Sequence, residues 1–243
     1  MQVDVAILII IYAYVTTLVV LWFLMKVRPK FPSGISIGIV VFLGIATTMA
    51  VVTILEFAIA PVGRPASRVI SIARGLKIAA IEETMKLIVA ALGILIAKNE
   101  AKWVDTKLSL AFVSGFTFGI TEALFYVARN SYSLFGLVNL FLSRLIHPVF
   151  TVSLVGGILL FRYGKRIEGV LVASYSYLGH ALLDHYLTAC ACYISSAVIL
   201  LALASFAGAV YLLMPKIEAE RKQRGEFEKE ATVELKDHWL NKM

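Results

Sequence analysis

The stretch AAIEETMKLIVAALGILIA, residues 79 to 97, decides the fold class. It is apolar enough to form a membrane helix, which needs about 20 such residues to cross roughly 30 Å of hydrocarbon. Yet it carries Glu82, Glu83 and Lys86 close together. A charged side chain at the centre of a membrane helix costs about 2.5 to 3.5 kcal/mol on insertion scales. Such residues usually face one another or a polar cavity, so this stretch indicates a buried polar site.

The composition of the chain indicates an integral membrane protein. Hydrophobic residues make up 60% of the 243 residues and charged residues 16%, and the mean hydropathy is +0.85. A chain with so little polar surface cannot cover a water-soluble globule. The net charge of +7 does not predict a nucleic-acid partner, because the basic excess lies in and between the apolar runs, where it serves topology and lipid phosphates.

Long apolar runs recur along the sequence and predict an all-α, polytopic membrane helix bundle of about seven transmembrane helices. The predicted spans are residues 5–25, 35–60, 76–97, 108–128, 140–161, 169–189 and 193–214. The start of the fifth span can also form a shallow or re-entrant piece, which leaves six spans as the alternative. We predict a transmembrane domain over residues 1–214, with its site drawn from 76–189, and a cytoplasmic charged tail over 215–243.

Basic residues predict the orientation of the bundle. They concentrate in alternate connections, at Lys26, Arg28, Lys30, Lys98, Lys102, Lys107, Arg162, Lys165 and Arg166. The basic-rich side of a membrane protein is cytoplasmic. We therefore expect a multi-pass protein of the cell membrane, with its N-terminus outside and its C-terminus in the cytoplasm. The first run has no basic residue before it, which is the reverse of a cleavable signal peptide.

Four polar residues from four predicted helices share one depth in this topology. Glu82 and Glu122 lie six residues from the outer ends of their spans, His147 lies seven, and His180 lies nine. At 1.5 Å per residue, all four are about 9 to 14 Å below the outer surface. A site assembled between helices needs its members level, whereas chance placement would scatter them. We therefore expect these residues to meet.

The spacing within the third span predicts how its charges divide. Glu82 and Lys86 are four residues apart and lie on one helix face. The adjacent Glu82 and Glu83 point about 100° apart on a helix, so we expect at most one of them to aim straight into the shared cavity. The other is expected to pair with Lys86 or Arg144, which leaves its neighbour as the working carboxylate.

Buried carboxylates and imidazoles suit three kinds of chemistry. A carboxylate shielded from bulk water can take a proton from water, and a histidine can stabilise an oxyanion, which together allow hydrolysis. Glu122, His147 and His180 form a candidate zinc ligand set with one position open to water. The third alternative is a proton or cation relay in a transporter.

Four segments resemble, in the same order, the motifs of the PrsW family of intramembrane proteases, which are related to the CAAX prenyl proteases. The segments are EETMK at 82–86, GFTFGITEA at 115–123, RLIHPVFT at 144–151 and GHALLD at 179–184. The resemblance implies cleavage of a single-span membrane protein near the outer face, such as an anti-sigma-factor-like regulator. The CAAX enzymes have His and Asn where this chain has Glu122 and Asp184, which argues against a prenylated substrate.

The expected function is peptide-bond hydrolysis by a glutamic-type or metal-dependent intramembrane protease. The candidate catalytic residues are Glu82, Glu83, Lys86, Glu122, His147, His180 and Asp184, with Arg144 as electrostatic or substrate support. We expect Glu82 or Glu83 to be the general base, Glu122 and His147 to hold water or metal, and His180 with Asp184 to support the metal or an oxyanion. The sequence contains no His-Glu-x-x-His and no Gly-x-Gly-Asp motif that would indicate another protease class. A transporter coupled to protons or cations is the alternative.

Overall fold

The computed structural model describes residues 2–59, 72–129, 131, 133–188 and 192–240, and almost all of them are helical. The helices are α1 (Gln2–Val27), α2 (Gly34–Ile59), α3 (Ile72–Ile96), α4 (Val104–Arg129), α5 (Leu134–Ser143), α6 (Ile146–Arg162), α7 (Arg166–Thr188) and α8 (Cys192–Leu240). The described chain is therefore an all-helical bundle, as predicted.

Five helical stretches among the described residues are long and apolar enough to cross a membrane. They lie in α1, α2, α4, the combined α5 and α6, and α8. Seven spans were predicted, but α3 and α7 do not meet this requirement of length and apolar character. Charged residues interrupt the apolar sequence of α3, and polar residues interrupt that of α7. These two helices carry Glu82 and His180, so the polar site itself accounts for the difference.

The predicted fifth span is divided by a turn at Arg144 and Leu145. Pro148 stands in the first turn of α6, where its missing N–H would have no partner within the helix. In one continuous helix, the proline ring would instead clash with the carbonyl group of Arg144. That carbonyl oxygen accepts a hydrogen bond from the His147 N–H at 3.1 Å. The turn therefore places Arg144 next to His147 at the start of α6.

Helix α6 lies at the centre of the bundle. Of its residues 146 to 160, only Ile158 is exposed, and the helix packs against α3, α4, α7 and α8. It approaches α7 closely, since a Cβ atom on Gly157 would lie 2.7 Å from the carbonyl oxygen of Gly169. Helix α1 packs on α5 and α8, and α2 packs on α3 and α4. The helices α3, α4, α6 and α7 therefore share one interior.

Helix α8 continues through Pro215 into the charged segment that follows its apolar part. The backbone N–H of Val104, at the start of α4, donates to Glu220 at 2.7 Å. Arg224 forms an ion pair with the buried Asp105 at 2.8 Å. The first turns of the predicted tail thus continue the last helix and dock on α4.

Candidate functional site

Three charged side chains in one turn of α3 associate inside the bundle. The Lys86 Nζ atom lies 2.6 Å from Glu83 Oε1 and 3.7 Å from Glu82 Oε2. The side chains of Lys86 and Glu83 have no exposed surface. Residues three and four apart lie on one face of a helix, so this pairing needs no distortion. The charges in the stretch 79–97 therefore face neighbouring helices.

His180 of α7 contacts both glutamates of α3. Its Nδ1 atom lies 2.7 Å from Glu83 Oε1, and its Nε2 atom lies 3.6 Å from Glu82 Oε2. We expected at most one of these adjacent carboxylates to aim straight into a shared cavity and the other to pair with Lys86 or Arg144; in the structure both contact His180, and Glu83 pairs with Lys86. Both reach it because the two nitrogens of one imidazole face the two side chains. Glu83 also holds Lys86, so the predicted division into a paired and a less constrained glutamate is seen.

The hydrogen bond to Glu83 assigns the tautomer of His180. An ionised carboxylate only accepts hydrogen bonds, so the Nδ1–H group donates to Glu83 Oε1. In the neutral ring, Nε2 then carries the lone pair that faces Glu82, and Asp184 Oδ1 lies 3.8 Å from the same nitrogen. The Phe150 ring stacks on this imidazole with centroids 5.3 Å apart. His180 thus presents an acceptor nitrogen to the site.

Lys86 assigns the opposite tautomer to His147 of α6. Its Nζ atom lies 3.0 Å from His147 Nδ1. Because an ammonium group only donates, Nδ1 accepts and the proton of the neutral ring is on Nε2. That buried Nε2 lies 2.8 Å from Glu122 Oε2, but the geometry is not that of a hydrogen bond. The two imidazole centroids are 5.6 Å apart, so His147 offers a donor beside the acceptor of His180.

Glu122 of α4 lies between His147 and Arg144. Its Oε2 atom is 3.3 Å from Arg144 Nη1, which is longer than its 2.8 Å contact with His147. The guanidinium carbon of Arg144 lies 4.8 Å from the centroid of the Tyr126 ring. The Arg144 Nε atom is buried and has no hydrogen-bond partner. Glu122 is therefore the counter-charge of Arg144, but it does not use all the N–H donors of the arginine.

Two glycines of the segment GFTFGITEA let α4 approach the start of α6. A Cβ atom on Gly115 would lie 2.6 Å from Thr151 Oγ1. One on Gly119 would lie 2.6 Å from the carbonyl oxygen of Arg144 and 3.0 Å from His147 Cδ2. Small residues four apart allow this kind of close helix contact in membranes. The two glycines thus determine how near His147 comes to the carboxylate on α4.

Arg144 and Asp184 form what we call the mouth of the site. Their side chains are 24% and 25% exposed, compared with 9% for Glu82. Helices α6 and α7 are consecutive and joined by a short turn, so they run in opposite directions. Residues that precede His147 and residues that follow His180 therefore lie at the same end of the bundle. These two side chains of opposite charge are the most exposed members of the polar group.

One group of three buried side chains among the described residues could hold a metal ion. It consists of Glu82, His147 and His180, whose ligand atoms lie within 4.8 Å of one another. The predicted set contained Glu122 in place of Glu82. The structure differs because Glu122 lies between His147 and Arg144, whereas Glu82 faces His180. The donor types are those of zinc sites with three protein ligands.

Two aromatic residues next to the site were not predicted to belong to it. The buried Tyr12 of α1 donates from its hydroxyl group to the Ser143 carbonyl oxygen at 2.9 Å, which supports the turn before Arg144. The ring of Tyr126 in α4 lies against Arg144. Tyr126 follows Glu122 by four residues, and this spacing could have indicated that it lies at the site. Nothing in the sequence of α1 connects Tyr12 to the site.

The chain matches no protein-family model, no curated protein sequence and no solved structure. The resemblance to the PrsW proteases, which depends on four short segments, stays a prediction.

Proposed function

We propose that the protein is an intramembrane protease that hydrolyses a peptide bond in or next to the membrane segment of a single-span protein. The observation that carries this proposal is the pair of buried histidines beside Glu82: Lys86 contacts Nδ1 of His147, and Glu83 contacts Nδ1 of His180. Peptide hydrolysis needs acceptors that activate water and a donor that stabilises the oxyanion. The site offers both within one water-poor interior, and the motif resemblance implies the same reaction.

Glu82 is the general base in this proposal. Glu83 already binds both Lys86 and His180 through Oε1. Oε2 of each glutamate is a buried atom with no hydrogen-bond partner, and that of Glu82 faces His180 Nε2. The 3.6 Å between Glu82 Oε2 and His180 Nε2 is too long for a hydrogen bond and suits one water that donates to both atoms. Glu82 takes a proton from this water while the water oxygen attacks the scissile carbonyl carbon.

The two histidines complete the reaction. His147 donates from Nε2 to the oxyanion, because Lys86 keeps Nδ1 of that ring as an acceptor. His180 accepts the proton from Glu82 at Nε2 and transfers it to the leaving nitrogen. Glu83 stabilises the imidazolium that forms in between, as a carboxylate does in the Ser-His-Asp triad. Glu83 and Lys86 thus act through the histidines rather than on the substrate.

We further propose seven transmembrane helices, with α3 and α7 among them and their charged groups facing the interior. The N-terminus is then outside, the C-terminus is cytoplasmic, and the mouth opens toward the outer face. A single-span substrate, such as an anti-sigma-factor-like regulator, enters from the bilayer. Its scissile carbonyl is hydrogen-bonded within its own helix, so the substrate must unwind locally before attack.

Zinc is the alternative means of activating water at the same group. Glu82 Oε2 and His147 Nε2 are buried atoms without hydrogen-bond partners, and both are zinc ligand types. Zinc held by Glu82, His147 and His180 would act as a Lewis acid and generate hydroxide near neutral pH. However, ligation through His147 Nε2 requires a proton on Nδ1, where the Lys86 ammonium already donates. The metal-free mechanism is therefore our primary proposal.

Purified protein in detergent tests this function on a panel of single-span substrates. We expect Glu82→Gln and His180→Ala each to lower kcat/KM by at least about a hundredfold, because each removes a proton-transfer group. The control is Glu168→Gln, an exposed carboxylate on α7, which should leave both activity and the melting temperature unchanged. Cleavage that survives both site substitutions in folded protein would contradict the proposal.

A proton- or cation-coupled transporter is the second candidate, because the site carries excess negative charge. The site contains four carboxylates but only two permanent cations. The carboxylates are Glu82, Glu83, Glu122 and Asp184, and the cations are Lys86 and Arg144. In sealed vesicles, a transporter predicts ion flux that depends on the same residues. Flux without cleavage of any substrate would reverse the ranking, and the lack of both activities would indicate a non-catalytic scaffold.

A further inference from the structure

We infer that Arg144 forms an anion subsite that binds an aspartate or glutamate side chain of the substrate next to the scissile bond. This inference rests on the proposed function and names a feature of the substrate. It predicts that the cleaved segment is selected by one acidic residue at a fixed distance from the cut, in addition to any requirement for local unwinding.

The position of Arg144 in the site supports this role. It lies at the mouth with 24% of its side chain exposed, whereas Lys86 is fully enclosed. It also precedes His147 by three residues, and its carbonyl oxygen accepts from the His147 backbone. In the proposed mechanism, His147 binds the oxyanion of the cleaved bond. A carboxylate held by Arg144 would therefore come from a residue near that bond.

The guanidinium of Arg144 keeps donors that Glu122 does not use. Glu122 Oε2 lies 3.3 Å from Arg144 Nη1 and 2.8 Å from His147 Nε2, and this oxygen makes no hydrogen bond with the guanidinium. The Nε atom of Arg144 is buried and has no hydrogen-bond partner. Arginine has five N–H donors in a planar fork that matches a carboxylate through two parallel bonds. A second carboxylate can therefore bind beside Glu122.

Contacts from two other helices, α1 and α4, hold the subsite in place. Tyr12 of α1 bonds the carbonyl group of Ser143, the residue before Arg144. Gly119 of α4 has no side chain and so leaves room for the carbonyl oxygen of Arg144. The Tyr126 ring lies against the guanidinium group of Arg144. An ordered arginine loses little side-chain freedom when it binds a ligand, which favours affinity.

Asp184 limits this selectivity to one position of the substrate. It is the other residue of the mouth and carries the opposite charge to Arg144. An acidic residue that faces Asp184 would be repelled, because like charges at short distance are unfavourable in a site of low dielectric constant. We therefore expect a preference for one acidic position rather than for acidic segments in general.

The test measures binding of synthetic single-span peptides to the full chain in lipid nanodiscs, with Glu82→Gln to prevent turnover. Each peptide has about 20 Leu and Ala residues, an outer Gly-Ser extension, and Asp, Asn or Lys at one of its first outer positions. We expect Asp to bind about tenfold more tightly than Asn at one position. Arg144→Gln should abolish that difference, whereas Arg162→Gln, at the exposed opposite end of α6, should preserve it.

A second pair of variants keeps the arginine. Tyr12→Phe removes only the hydroxyl that bonds Ser143, and it should reduce the preference for Asp. Tyr14→Phe makes the same change at an exposed position of α1 and should leave the preference intact. This pair keeps the inference testable where Arg144→Gln does not fold.

Three outcomes would overturn the inference: equal binding of Asp and Asn at every position, binding of no peptide, or a preference that persists in folded Arg144→Gln. Cleavage of the same peptides by protein with Glu82 intact separates this inference from the protease itself. Cleavage without an acidic preference would overturn the inference alone. A preference in binding with no cleavage would keep the subsite and overturn the protease.

Discussion

Removing Lys86 should cost far more stability than removing an exposed lysine. The Lys86 and Glu83 side chains have no exposed surface, and their charged atoms are 2.6 Å apart. Lys86→Met would leave Glu83 buried without its counter-charge. Breaking one partner of a buried ion pair costs about 3 to 5 kcal/mol, because the remaining charge is uncompensated. The unfolding equilibrium should therefore shift by more than about a hundredfold.

Equilibrium unfolding in mixed detergent micelles, followed by circular dichroism, measures this cost. Lys98→Met is the matched control, since Lys98 is exposed beyond the end of α3, and its effect should stay within about 0.5 kcal/mol. The double variant Glu83→Gln/Lys86→Met removes both charges and should recover a large part of the loss, because the coupling belongs to the pair. A loss below about 1 kcal/mol in Lys86→Met would refute the reasoning.

Three further predictions concern helix packing, orientation and metal. Gly119→Ala should lower kcat/KM by about a hundredfold, because a Cβ atom 2.6 Å from the Arg144 carbonyl oxygen displaces the start of α6. The control is Gly208→Ala, which has open space around it. An unchanged kcat/KM in Gly119→Ala would contradict the packing argument. In a chain without its native cysteines, Ser131→Cys should react with an impermeant thiol reagent added from outside, whereas Arg166→Cys should react only after membrane permeabilisation. The reverse labelling pattern would show that the topology is the opposite of the proposed one. Protein shown to be metal-free by elemental analysis after chelation should keep its activity, and recovery only with added zinc would favour the metal mechanism.

The gathering of the polar residues could be predicted from depth alone. Glu82, Glu122, His147 and His180 lie at one level of the predicted topology, and the structure brings them into one chain of contacts. The prediction works because helices of a membrane bundle run roughly normal to the bilayer, so that residue count measures depth. A prediction from depth also does not require knowing which helices are neighbours.

The individual pairings could not be predicted in this way. Depth does not specify how far each helix is rotated about its axis, so the sharing of His180 between Glu82 and Glu83 appears only in the folded bundle. The break before His147 was similarly ambiguous, because Pro148 permits both a kinked helix and two separate helices. The contribution of Tyr12 depends on α1 packing against α5, which hydropathy does not encode.

In the proposed mechanism, Glu83 and Lys86 combine a structural role with the positioning of the two histidines, and the double variant separates these two roles. Each stabilises the other's charge, and each also fixes the tautomer of one histidine. In Glu83→Gln/Lys86→Met the charges are gone and the fold should hold, but nothing donates to His147 Nδ1. That ring is then free to place its proton on either nitrogen, and the donor to the oxyanion is lost in part of the population. We therefore expect folded protein with strongly reduced kcat and little change in KM. Full activity in this variant would show that the charged turn of α3 serves insertion and stability alone.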